Sequence, residues 1–391
     1  MLAKPPHSLT VDLFLTLLQN PDNARTLDLQ QWDLVVRQAR RAQLLARLYY
    51  SLERDDLLSS IPEQAKWHFE AAAKVTKRHV DSVQWEVKQI YRALFSVGVP
   101  IVLLKGAAYV MAGLPPATGR VFVDVDIMVP KGALNDVERA LKRRGWMATH
   151  HDEYDQRYYR QWMHELPPLK HARRQTVLDV HHTILPETAR LHPDPHKLMM
   201  DAVPLDGMED VYVFAPEDMV LHSATHLFHD GELEHGLRDL VDLDSLLRHF
   251  SQADGFWERL LDRAVEMELA RPLYYALRYT SNILGTPVPD GILSKSRQGK
   301  PSMMVAWLMD QLFYRALKPD HASCRDSFTG LARWVLYIRA HYLRMPLHLL
   351  IPHLFYKSFI TPYKERQREK LAENQPNLAD FLKDVAPENR K

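Results

Sequence analysis

The chain has 391 residues, 46% of them hydrophobic, and its 50 basic and 49 acidic side chains leave a formal charge of +1. That length can bury a large core, and the charge balance excludes a global field that would draw the protein onto nucleic acid. The single cysteine, Cys324, excludes an internal disulfide framework. The first residues, "MLAKPPHSLTVDLF", lack the sustained apolar core of a secretory signal, so the expected compartment is reducing and cytoplasmic. Only 14 glycines among long Leu, Ala, Arg and Glu stretches predict a mainly helical protein in which sheet is a minority, punctuated by 25 prolines.

In chain order, residues 1–98 read as an N-terminal helical region. It ends in a long segment from Pro62 to Gly98 with apolar residues recurring at three and four. Residues 99–215 read as a core. There "VPIVLLKG" is a short strand rich in β-branched residues, "AAYVMAG" looks helical, a Pro-rich turn follows, and a second strand runs through Asp124 and Asp126 to Pro130. "GALNDVERALKRRGW" predicts an amphipathic helix, and two or three strands follow between Trp146 and Ile184, the last being "TVLDVHHTI". Helical pattern returns over 216–360, and 361–391 is a charged tail that reads as a solvated helix or partly disordered. The expected fold is α+β: a small mixed sheet flanked by N-terminal and C-terminal helical regions. No stretch reaches the ~18 uninterrupted apolar residues of a spanning helix. The nearest, Met345 to Phe359, is broken by His348, Pro352 and His353 and reads as a buried terminal helix, with a membrane-surface helix as the alternative.

Asp124 and Asp126 stand in a run that is otherwise apolar from Val121 to Pro130. Positions i and i+2 of a strand share a face, so the two carboxylates raise each other's pKa or need a cation between them. A hard cation such as Mg²⁺ or Mn²⁺ takes oxygen ligands, and two such ions clamping a phosphoryl displacement usually need a third carboxylate. Asp179 on "TVLDVHHTI" is the candidate, with His181 on its face and Leu178, Val180 and His182 on the other. Upstream, Gly106 at a strand-to-helix turn would let backbone N–H groups approach a phosphate, Lys105 would add positive charge, and Arg120 would neutralise triphosphate oxygens or brace the carboxylates.

At these residues the chain resembles a known family. "LLKGAAYVMAGLPPATGRVFVDVDIMVP" followed by "VLDVHHTI" is similar to the uncharacterised nucleotidyltransferases, bacterial members of the DNA polymerase beta-like superfamily. The resemblance implies a minimal nucleotidyltransferase sheet with Asp124 and Asp126 as the metal pair and Asp179 as the third carboxylate. Lys105-Gly106 stands where the superfamily usually has glycine followed by serine. The expected reaction moves a nucleoside monophosphate from an NTP, with ATP the named candidate, to an acceptor, releasing pyrophosphate. The acceptor stays open among protein side chain, RNA end, sugar and peptide product.

Other clusters compete. His222 and His226, with His229 and Asp230, have a spacing that could ligate metal as in His-Asp phosphohydrolases, although helical histidines beside Leu and Phe more often pack. "LRDLVDLDSLL" resembles a helical motif of nucleotidyltransferase toxins in which an acidic residue closes the active site, which makes Asp239 and Asp242 second-tier candidates beside His181. The alternative is an amphipathic helix with Leu240, Leu243 and Leu247 inward and the acids outward. "KRR" at Lys142, "HARR" at His171 and "KERQREK" at Lys364 could touch RNA or phosphate but commonly mark solvated faces. Tyr154, Tyr158 and Tyr159 near Arg157 and Arg160 could stack a base or fill core. A catalytically silent nucleotide-binding scaffold is the remaining alternative.

Overall fold

The computed structural model describes residues 12–149, 158–160, 162–231 and 233–356. Tyr154, Arg157 and the charged tail with "KERQREK" lie outside these residues.

The expected α+β architecture is borne out. Among the described residues seven strands form one mixed sheet: β1 (Ile101–Leu104), β2 (Asp124–Met128), β3 (Trp146–Ala148), β4 (Leu169–His171), β5 (Val177–His181), β6 (Val203–Pro204) and β7 (Val211–Val213). Their spatial order is β3-β4-β5-β2-β1-β7-β6. β2 lies between β1, antiparallel to it, and β5, parallel to it. All four side chains of β1 are buried, as expected of a strand with apolar runs on both faces. The short pair β6–β7, which extends the sheet beyond β1, has no periodic signal in the sequence.

Helices flank this sheet in the chain order read from periodicity. Glu63–Leu94 is a single helix of 32 residues, and Gly98 takes a left-handed φ of +65° just past its last turn. Lys105–Met111 starts on the residue directly after β1, Leu134–Arg143 is the amphipathic helix before β3, and Pro216–Thr225 and Gly236–Phe250 follow β7. One cluster of buried apolar side chains runs from Phe14 to Leu336, across the changes from helix to sheet and back. The described residues up to Arg344 form one compact unit, and those from Met345 a second. In the second, Leu347–Phe355 is helical with Pro352 inside it, Leu350 buried and Leu347 and Ile351 exposed. Among the described residues no helix is long and apolar enough to cross a membrane.

The "HARR" run is used for packing. Arg174 forks onto buried Glu86 of the long helix, Nε to Oε2 at 2.9 Å and Nη2 to Oε1 at 2.7 Å. Its guanidinium also sits 4.7 Å from the centroid of the Trp146 ring. Thr176 Oγ1 donates to the same Glu86 Oε1 at 3.0 Å, so one carboxylate ties the long helix to the turn that feeds β5. In "KRR", Lys142 Nζ lies 2.8 Å from Glu138 Oε1, and Arg160 contacts the same carboxylate. Glu86→Ala strands a partly buried guanidinium. It is expected to destabilise the chain by on the order of 2–3 kcal/mol, read as a lowered urea midpoint at constant slope, and an unchanged midpoint would contradict this assignment.

Candidate functional site: a carboxylate face on β2 and β5

The parallel register of β2 and β5 sets Asp126 directly beside Asp179, with Asp124 one pleat along the same face beside Val177. Asp124 is exposed at the strand's start, Asp126 is 4% exposed, and Asp179 is half-buried. The three sequence-predicted acids are therefore brought together from two stretches of chain. Lys105 joins them: its Nζ lies 3.2 Å from Asp126 Oδ1. His181 places Nε2 3.1 Å from the same oxygen and Nδ1 3.4 Å from Glu165 Oε2.

These contacts divide the carboxylates. Burial disfavours the charged form of Asp126, but Lys105 and His181 outweigh it and hold the carboxyl well below its usual range. Among the described residues Asp179 has no close ion pair, and the lowering pull of His181 is outweighed. Burial, reinforced by the Asp126 and Glu165 charges, pushes it up to about 8. Its Oδ1 is buried with no hydrogen-bond partner. Asp124 is raised chiefly by Asp126 and then by burial. For Lys105, burial works against the ammonium, yet Asp126, Asp124 and Glu165 together raise its pKa, and for His181 the Asp126 and Glu165 carboxylates likewise overcome burial and raise it. The residues suit a hard divalent cation on one specific ground: three carboxylates share one sheet face, one of them with an oxygen sealed from water and lacking any donor; their oxygens do not all lie within 4.8 Å of one another, so a shared ion has to draw them inward.

The other predicted residues stand differently. Lys105 adopts φ +43°, a left-handed backbone that a residue with a side chain rarely takes, at the start of its helix. Gly106 is buried, and a Cβ there would meet the Phe122 ring at 2.7 Å and Arg120 Nη1 at 3.4 Å. Its visible task is close packing of the segment that leads into β2. Arg120 braces carboxylates, but those of Gly236–Phe250: Nε lies 3.1 Å from Asp242 Oδ2 and Nη2 3.9 Å from Asp239 Oδ1. It also packs between the rings of Tyr109 and Phe122, at 5.5 Å from each centroid. Asp239 and Asp242 are consequently buried, along with Leu240, Leu243 and Leu247, which corrects the reading of that helix with its acids outward. The reason is charge: Arg120 and Arg238 neutralise the pair, although burial still pushes Asp242 up to about 6.

His226 places Nδ1 4.0 Å from Asp239 Oδ2, and His222 packs edge-on against Phe214 with centroids 5.5 Å apart. Burial lowers both pKa values, that of His222 to about 3. His226–Asp230 is a π-helical turn ending at Gly231, not a continuation of the α-helix. Tyr158 packs edge-to-face on Tyr159 at 5.4 Å and on Trp162 at 6.1 Å. Sequence reasoning missed His164 and Glu165. Glu165 bridges to His181 as an isolated antiparallel pair, so no alternating pattern marks it, and the only available signal was a His-Glu dipeptide just before β4.

The raised pKa of Asp179 has a signed consequence. Between its usual value of 3.8 when unfolded and about 8 when folded, the folded chain holds the extra proton, so this group's contribution weakens as pH climbs through that window. With divalent ions chelated, Asp179→Asn is expected to match the parent near pH 4 and to melt at a higher temperature near pH 9. A gap that stays constant with pH would contradict the assignment.

No curated protein matches the chain. Among solved structures, an antigenic nucleotidyltransferase-like protein from Paracoccidioides brasiliensis is similar at 14% identity and a TM-score of 0.29, covering 55% of this chain and 96% of that one, a likeness too slight to argue from. The family model described as uncharacterised nucleotidyltransferase matches residues 28–285, more than half of the chain and all of the carboxylate face. The chain belongs to the uncharacterised nucleotidyltransferase family.

Proposed function

We propose that the protein is a metal-dependent nucleotidyltransferase that moves a nucleoside monophosphate from an NTP, ATP being the first to test, to an acceptor hydroxyl or similar nucleophile, in the reducing cytoplasm. The observation that carries this reading is the register of Asp126 and Asp179 on β2 and β5, with Asp124 on the same face and Lys105 against it. Magnesium bound by Asp124, Asp126 and Asp179 would neutralise their mutual repulsion and offset the charge of the triphosphate.

This chain's own residues supply the rest. Asp179 holds its proton to about pH 8 in the metal-free chain; once a bound cation displaced that proton, its carboxylate would be placed to take the proton of the acceptor as the acceptor oxygen attacks the α-phosphorus and the bond to pyrophosphate breaks. Lys105 is partly exposed beside the acids and brings a fixed positive charge to the phosphate side. Its left-handed backbone concentrates strain where placement of that charge matters. In-line displacement depends on positioning and charge neutralisation more than on covalent chemistry, and a cluster of acids and one lysine meets that demand.

One observation favours a second reading, a scaffold that binds nucleotide without turnover. Asp126 Oδ1 already faces both Lys105 and His181, and cations on that oxygen compete with a metal. The two readings separate in one assay. Each labelled NTP is offered with Mg²⁺ or Mn²⁺ and a cell extract, and the product fractions are counted. Label is expected in one fraction, with Asp124→Asn plus Asp126→Asn reducing it by about 100-fold or more. Saturable NTP binding with no labelled fraction under any ion would replace the transferase by the scaffold.

A further inference from the structure

Beside the acids, through His181 on their face, lies a group of different donor chemistry. The chain before β4 runs antiparallel to the end of β5, with Leu166 N donating to Val180 O and His182 N donating to His164 O, each at 2.9 Å. Between them Glu165 and His181 form a bridge pair, which sets their side chains opposite each other. The rings of His164 and His181 lie 5.2 Å apart at 31°. One donor atom from each of His164, Glu165 and His181 falls within 4.8 Å of the other two, the one such group of three among the described residues. His164 Nδ1 is sealed from solvent and has no hydrogen-bond partner.

We propose that His164, Glu165 and His181 form a second metal site, for a borderline divalent ion of the Zn²⁺ class, distinct from the oxygen-lined centre of Asp124, Asp126 and Asp179. Two imidazoles and one carboxylate match the donors that such ions take, with a fourth position left for water, whereas magnesium keeps to oxygen. The second ring nitrogen of His181 supports the assignment. Its Nδ1 points at Glu165 while Nε2 is 3.1 Å from Asp126 Oδ1. Metal on Nδ1 fixes the tautomer in which Nε2–H donates to Asp126, the carboxylate–histidine–metal arrangement that orients a ligating imidazole. The orphaned His164 nitrogen gains the partner that its burial otherwise denies it. His181 Nδ1 and Glu165 Oε2 already stand 3.4 Å apart, about the donor spacing that bonds of ~2.0–2.1 Å give around a tetrahedral ion. Asp126 would then be held by one metal through His181 while serving the other directly.

The test is binding of Co²⁺ to the full-length protein, stripped of metal and kept in excess Mg²⁺. One equivalent is expected to give visible d–d absorption that Zn²⁺ bleaches. His164→Gln and Glu165→Gln are each expected to weaken it about tenfold or more, and Asp124→Asn and Asp179→Asn to leave it. No absorption from the parent overturns the proposal. So does absorption that survives both first substitutions, or that Asp124→Asn and Asp179→Asn abolish equally, which places the ion in the carboxylate centre. Should either variant fail to fold, ring ¹⁵N spectra of the parent decide: Zn²⁺ must move two histidines, and shifts in none overturn the site.

Discussion

Two carboxylates side by side in the interior of a sheet repel, and the arrangement around β2 and β5 is organised by that repulsion. The parallel register fixes Asp126 next to Asp179, and no rotamer of either takes it off the shared face. The protein resolves the conflict unevenly. It gives Asp126 close contacts with two cationic partners, Lys105 and His181, and gives Asp179 no close ion pair among the described residues. The result is one carboxylate firmly ionised and a neighbour that keeps its proton up to about pH 8, from residue types that would behave alike in water. Perturbed groups of opposite direction within one face are the usual mark of a chemical site, though ion-pair networks made for stability also perturb.

A second, largely buried charge cluster holds the site's approach in place. The link from the helix Lys105–Met111 to β2 passes Gly119, whose φ is +69° and where a Cβ would meet Arg47 N at 2.6 Å, so only glycine lets the link lie against the helix Leu45–Arg54. Arg47 Nη1 donates to Pro115 O at 2.5 Å and Thr118 O at 2.8 Å. Its Nη2 reaches Ser245 Oγ. Arg120, the next residue after Gly119, inserts between Asp239 and Asp242. These bonds connect the N-terminal helices, the strand that bears the acids and the helix Gly236–Phe250. A charge change at Arg120 therefore acts on the position of β2 before it acts on any ligand.

What the sequence disclosed follows from periodicity. Asp124 and Asp126 were legible because a period of two fixes which residues share a face, and Asp179 because it interrupts another short β-branched run. The long helix ending at Gly98, the amphipathic helix before Trp146 and the strand after Thr176 were legible for the same reason. Partner choice was not. Whether Arg120 meets Asp124 or Asp242 depends on how a Pro-rich link and a helix more than a hundred residues later fold together, and no local pattern records that. Asp239 and Asp242 mislead because acids beside leucines normally face water, and here arginines from elsewhere let them turn inward. Glu165 escaped because a one-residue bridge has no period at all.

The central claim is that Asp124, Asp126 and Asp179 jointly hold the divalent ion of a nucleotide. Anomalous diffraction from crystals grown with Mn²⁺ and a non-hydrolysable NTP tests it most directly. The account predicts manganese coordinated by oxygens of Asp126 and Asp179, with Asp124 completing the set and Lys105 turned toward phosphate. Manganese bound elsewhere, or nucleotide seated with Asp126 still held by Lys105 and His181 and no ion between the acids, would contradict it.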